Sequence, residues 1–399
     1  MTDATLTRNS YARAFAFPWV FSARQDLAVS LGGMAAGLGI LGLHVFLHLN
    51  MVLVWFVWVV VLDTPHFFGT YFRTYLDKDE WRTRRPFLLG SLGVFLVGPV
   101  MLAVSYALHS AGVEAFKLPW KFWGYGVSLW AYFHITRQHY GVLRLYNRKN
   151  GEIGTDESRL DAAVLYGALA LAFVGLLVSH PDTRDSFGFK PWEQTPMAWD
   201  KALFYTAEAG IAALVIFQAS FQIGKWMRGQ PINLPKQIFL ASVVALHAFV
   251  CFSGLLPGSS LLAFTAIVTI YHDIQYLFIV WFYSNRHYRS EPSRRDKFGA
   301  AGVLAQGFPL FYGAALLLAS VPLWGLGCAI NRVELCGPGT DAGAMTFMGD
   351  TTWILFFVML TSGIQMHHYV LDMVIWRPSR SRNVRTGLGL DAATSTTSF

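Results

Sequence analysis

Ten stretches of this chain stay predominantly apolar for about twenty residues each, and that pattern excludes most soluble architectures. They run over residues 28–47, 50–72, 87–108, 120–143, 160–179, 201–224, 237–256, 258–284, 302–326 and 351–375. At 1.5 Å rise per residue, about 20 residues cross the ~30 Å hydrocarbon core of a bilayer. A helix satisfies its own backbone there, which an open sheet edge cannot do. Only 14% of the residues are charged, against about a quarter in soluble domains. The expectation is an all-α, polytopic integral membrane helix bundle of about ten transmembrane helices. The first two stretches share one apolar run interrupted near Asn50, so their hairpin is the least defined. Residues 1–27 read as a polar, basic N-terminal segment with an interfacial aromatic patch at Phe15–Phe21 and no cleavable signal peptide. Residues 28–376 read as the bundle, and residues 377–399, rich in Ser, Thr, Gly and Arg, as a disordered cytoplasmic tail.

The basic residues set an orientation. The N-terminus holds Arg8, Arg13 and Arg24. The connections after the second, fourth, sixth and eighth stretches carry most of the rest, including Arg82, Arg84, Arg85, Arg148, Lys149, Lys225, Arg228, Arg294 and Arg295; the tail adds Arg377 to Arg385. Together these segments hold 24 of the 31 Lys and Arg residues, and the opposite connections hold six. The positive-inside rule then puts both termini in the cytoplasm, with a bacterial inner membrane as the expected location. The net charge of +7 is accounted for by this bias, so no nucleic-acid partner is implied. Of three cysteines, Cys328 and Cys336 fall in one outer connection, where either a disulfide or two free thiols is chemically permitted.

Twelve histidines are present, and four helices that run in the same direction each place one at the same depth. Counted from the outer start, His66, His134, His272 and His367 all lie about 15–16 residues in, or ~22–25 Å from the outer surface. An ionisable group inside a membrane is unfavourable unless it faces the bundle interior and has a partner. Neutral imidazole is also a common ligand of iron, zinc, copper and nickel. The expected ligands are therefore His66, His134, His139, His272, His367 and His368, binding one or two transition-metal ions. Iron(II) is the expected metal, with zinc and copper equally able to take imidazole. Asp63, three residues before His66, would support the ligands from one helical face, as would Gln275 and Asp372. Asp273, Asp372 and Tyr276 are candidate catalytic groups, and Tyr140 a candidate orienting group. His134 and His139 lie five residues apart, about 140° around an ideal helix; both reach one site only through a π-bulge, or they serve two metals. His44, His48 and His247 fall at other depths and are lesser ligand candidates, His109 and His180 lie at outer helix ends and read as solvated, and His287, at the cytoplasmic end of its helix, reads as an interfacial anchor or a further ligand.

Two phrases carry a family resemblance: Phe133-His134-Ile135-Thr136-Arg137-Gln138-His139-Tyr140, and His368-Tyr369-Val370-Leu371 running into Arg377-Pro378. They resemble the histidine segments of bacterial membrane β-carotene dioxygenases related to bacterioopsin-related protein, over about 40 residues. The resemblance implies non-haem iron held by transmembrane histidines, and O₂-dependent cleavage of a carotenoid. The paired histidines are one residue further apart here and the last aspartate one residue closer to its histidine, so the same substrate does not follow. His367-His368 also resembles the histidine boxes of membrane hydroxylases and desaturases, although Ile364 stands where a further histidine is wanted.

The sequence thus leads to a membrane oxygenase acting on a lipophilic small molecule delivered through the bilayer, with room for an electron donor. The alternatives are a proton-coupled transporter using a His/Asp relay, or a b-type haem electron carrier, which needs only two facing histidines.

Overall fold

The structure, a computed structural model, describes residues 14–186, 190–194, 198–255, 261–289, 295–322 and 352–390. Cys328 and Cys336 lie outside the described residues. The principal helices are α1 (Ala23–Phe46), α2 (Thr64–Thr74), α3 (Lys78–Ser91), α4 (Val94–Ser110), α5 (Leu118–Lys149), α6 (Asp156–Ser179), α7 (Trp199–Met227), α8 (Leu234–Phe252), α9 (Leu261–His287), α10 (Phe308–Ala315), α11 (Thr352–Ile375) and α12 (Arg382–Gly387). Among the described residues the only strands are two-residue pieces, Phe15–Ala16 pairing in parallel with Ile232–Asn233. The chain is therefore all-helical. Among the described residues, seven helical segments are long and apolar enough to cross a membrane. The stretch expected at 302–326 is broken into Ala300–Leu304, α10 and a π-helical turn at Leu316–Ser320, because Gly307 and Pro309 interrupt any helix running through them. Where the tail was expected to be disordered, α12 forms behind a Ser381 N-cap, with Val384 and Leu388 buried.

The chain divides into two compact units that share α5 and α9. The first comprises α1, the second half of α5, α6, α7, α8 and the first half of α9. Small residues on α6 (Ala168, Ala172 and Gly175) are buried against its neighbours, the composition that lets membrane helices approach closely. At one end of this unit five charges are buried together. Lys236 Nζ lies 2.7 Å from Glu152, 2.9 Å from Glu157 and 2.8 Å from Asp161, and Lys225 Nζ donates to Glu157 at 2.5 Å. Glu157 starts α6, Lys225 ends α7 and Lys236 starts α8, so the network ties one end of three antiparallel helices.

The second unit holds α2, α3, α4, the first half of α5, the second half of α9, α10, α11 and α12. Its α2 is entered through a π-helical stretch, Phe56–Asp63. Pro65 has no N–H, so neither Val61 in α register nor Val60 in π register finds a donor there. Side chains supply both: Tyr312 Oη donates to the Val61 carbonyl and Ser320 Oγ to the Val60 carbonyl at 2.8 Å. Ahead of Pro65 the chain thus changes helical register locally, with the carbonyls of Val60 and Val61 bonded from elsewhere.

Helices α4 and α11 meet at Gly98, where an added Cβ would lie 2.6 Å from the Met359 carbonyl oxygen and 2.8 Å from Trp123 Nε1. Backbone cannot swing aside as a side-chain tip can. Gly98→Ala is expected to destabilise the unit by about 1–3 kcal/mol through overpacking, visible as a lower thermal midpoint in detergent. An unchanged midpoint would show that the two helices are free to separate.

Asp77 joins α2 to α3. One carboxylate oxygen caps α3, accepting from the Asp79 and Glu80 amides at 2.9 and 3.2 Å, and the other accepts from Tyr288 Oη at 2.8 Å. Burial outweighs these bonds and pushes the carboxyl from 3.8 up to about 6. Because the folded-state value is the higher one, the folded chain binds the proton more tightly. The stabilisation is full below about pH 4 and is lost as pH rises through about 6. Amide exchange at residues 75–82, corrected for its intrinsic rate, should therefore be faster at pH 7.5 than at pH 5. Asp77→Asn should remove that dependence, and an unchanged pH slope in this variant would count against the assignment.

Candidate metal centre

In the second unit three histidines reach one point from three helices. His66 lies on the first turn of α2, His134 on α5 and His368 on α11, and all three are at least nine-tenths buried. Their ring centroids are separated by 4.4 Å (His66–His368), 4.9 Å (His134–His368) and 6.5 Å (His66–His134). Each offers a ring nitrogen, and these atoms lie within 4.8 Å of one another. A metal about 2.1 Å from a ring nitrogen sits about 3.2 Å from the ring centre, so imidazoles sharing one ion have centroids about 4.5–6.4 Å apart. The three observed separations match that range to about 0.1 Å.

The orientation of His368 is set by a chain of hydrogen bonds. Its Nδ1 lies 2.7 Å from Thr70 Oγ1, and Thr70 donates to Asp372 Oδ1 at 2.8 Å. Tyr276 Oη donates to the same carboxylate oxygen at 2.8 Å and accepts from Trp376 Nε1 at 3.1 Å. Since Asp372 takes both hydroxyl protons, the consistent assignment has His368 Nδ1–H donating to Thr70, which leaves the Nε2 lone pair for a ligand. A carboxylate acting through a hydroxyl in this way fixes the tautomer and raises the basicity of a ligating imidazole. Around this core, Tyr276 meets His66 edge-on at 4.6 Å and Tyr369 stacks on His134 at 4.3 Å. Asp63 Oδ1 lies 3.7 Å from His66 Nδ1, near enough to bias the ring electrostatically but too far for a hydrogen bond. Arg73, fully buried, donates to the Ile375 carbonyl at 3.0 Å and lies 4.0 Å from the Trp376 ring, which holds the end of α11 and, through Trp376, the Tyr276 hydroxyl.

Two of the expected ligands point elsewhere. His367 is adjacent to His368 and therefore about 100° around the helix. Its Nδ1 meets Tyr71 Oη at 3.0 Å, and its Nε2 meets Ser91 Oγ at 2.9 Å and Tyr75 Oη at 3.2 Å. Both ring nitrogens are engaged by hydroxyls, so His367 is a structural residue of the second unit. His139, set about 140° from His134 on α5, belongs to the first unit, where its Nδ1 pairs with Gln275 Oε1 at 2.9 Å; Gln275 thus supports His139. His272 and Asp273 are buried in the first unit. The His272 carbonyl accepts from Gln138 Nε2 at 2.9 Å, and His272 stands one turn before Tyr276 on α9. Tyr140 packs on Tyr166 at 5.2 Å in the same unit. His44 and His180 bond locally to backbone groups and His287 stacks on Tyr283, as structural histidines do.

Thr70 was not singled out by the sequence reading, although it stands four residues after His66 and therefore on the same helical face. No protein-family model, curated protein or solved structure matches this chain.

Proposed function

We propose that the chain is a membrane-embedded, metal-dependent oxidoreductase that uses O₂ on a lipophilic substrate, with its metal held by His66, His134 and His368. The observation that carries this reading is the convergence of three imidazoles from α2, α5 and α11, one of them oriented through Thr70 by Asp372. A bound iron(II) ion would supply O₂ activation, since three histidines leave coordination positions open. Copper or zinc would fit the same nitrogens. The protein's own contribution is positional. Asp372 keeps the tautomer of His368, Tyr276 holds a proton at Oη beside His66, and Trp376 aims that hydroxyl. The burial of these groups excludes water, and the exposed apolar residues of the long helices favour entry of an apolar substrate from the bilayer. The reading retains about ten membrane spans, both termini on the cytoplasmic side and a bacterial inner membrane, supported by the charge bias; an electron donor would be a further partner. A β-carotene-like polyene is one substrate class to try, on the strength of the sequence resemblance.

The test is elemental analysis of detergent-purified protein, followed by O₂ uptake with a panel of polyenes, fatty acyl lipids and sterols. The expected result is at least one iron per chain and substrate-dependent uptake that is lost in His368→Ala. His272→Ala in the same panel reports whether α9 adds a ligand. Purified protein free of any transition metal overturns the proposal. A Soret band would replace it with haem chemistry.

A further inference from the structure

The first unit contains a histidine pair that the centre described above does not use. His139 on α5 and His247 on α8 are both completely buried, with ring centroids 5.8 Å apart and planes at 87°. His139 is held by its Nδ1 against the Gln275 carbonyl oxygen at 2.9 Å, so Nδ1 carries the proton and Nε2 the lone pair. That Nε2 has no hydrogen-bond partner among the described residues. A buried polar atom without a partner is unfavourable by about 1–3 kcal/mol, and more is at stake inside a bilayer. An imidazole fixed through one nitrogen by an amide oxygen, with its other nitrogen open and a second imidazole beside it, is how proteins present histidine to a metal.

We infer that His139 and His247 form a second transition-metal site, independent of the His66–His134–His368 centre. The separation supports it: centroids 5.8 Å apart fall within the range of about 4.5–6.4 Å for imidazoles sharing one ion, toward its open-angle end. Such a wide angle suits copper(I), an ion that two nitrogen ligands satisfy, and zinc(II) would need further ligands. The ring of His272 lies edge-on to His139 at 6.5 Å, at the wide limit of that range, and the His139–His247 pair is the minimal site. Tyr271, 5.3 Å from His139 and bonded at its hydroxyl to Ser242 at 2.7 Å, walls the site with an aromatic face. The same arrangement explains why α5 carries two histidines on different faces: each serves its own site.

The test uses the full-length protein in detergent, stripped with a chelator and titrated anaerobically with copper(I) against a chromogenic competitor. Wild type is expected to take up two equivalents, and His247→Leu and His139→Leu one each. His368→Ala should also retain one equivalent, and the His247→Leu/His368→Ala double variant none. His247→Gln, which keeps a polar group of similar size, should elute as wild type does and still lack one equivalent. Uptake in His247→Gln equal to that of wild type, whether one equivalent or two, overturns the second site. Failure of the first centre would appear separately, as unchanged uptake in His368→Ala.

Discussion

His368→Ala should lose its metal under conditions where His367→Ala keeps it. The two residues are neighbours in sequence and both are buried, so composition and depth do not separate them. Their surroundings do. His368 Nδ1 is held by Thr70 at 2.7 Å and its ring lies 4.4 and 4.9 Å from those of His66 and His134, whereas both nitrogens of His367 are engaged by Tyr71, Ser91 and Tyr75. Structural metal sites bind with about 10–16 kcal/mol over four ligands, or about 2.5–4 kcal/mol per ligand, so removing one weakens affinity roughly 70- to 900-fold. Thr70→Val, which breaks the link from His368 to Asp372, should weaken it about 10–100-fold, the size found for supporting residues at metal sites. His367→Ala should leave affinity unchanged while loosening the contacts among α2, α3 and α11. Metal content after dialysis against graded chelator ranks the three variants. Equal loss from His367→Ala and His368→Ala would show that the helix presents the other face.

Lys236→Met should strongly destabilise the first unit. Lys236 is completely buried and pairs with Glu152, Glu157 and Asp161 within 2.9 Å. Removing it leaves three buried carboxylates with Lys225 as the remaining cation of the network. Breaking one partner of a buried ion pair typically costs about 3–5 kcal/mol, because the remaining charge is left uncompensated. The expected result is a large fall in the yield of monodisperse protein and in its thermal midpoint. A triple variant, Lys236→Met with Glu157→Gln and Asp161→Asn, should recover much of that loss, since it removes charges of both signs. A single variant as heat-stable as wild type would mean that the carboxylates are protonated or hydrated in place.

The sequence carried some of this architecture openly. Apolar length located the helices: the stretch at 351–375 is α11 almost to the residue, and 120–143 lies within α5. It did not show where a span is interrupted, because Gly307 and Pro309 act on local backbone geometry that average hydropathy ignores. For the metal centre, depth was readable and azimuth was not. Counting residues put His66, His134, His272 and His367 at one level, yet a single residue step turns a side chain by about 100°, which is the difference between His367 and His368. The same limit hid the role of His139, whose partner His247 comes from a helix with no motif around it. Thr70 was legible in principle from its spacing to His66, but a threonine in an apolar helix is common enough to carry no signal by itself.

The π-helical entry to α2 has a consequence for how the protein is made. The carbonyls of Val60 and Val61 depend on Ser320 and Tyr312, which follow them by 260 and 251 residues. At about 5–20 residues per second, those hydroxyls leave the ribosome about 12–50 s after the valines do. During that interval the segment leading into His66 lacks both side-chain donors, and it gains them only when the later helix arrives. Synthesis order therefore imposes a waiting period on the helix that carries the first ligand of the metal centre.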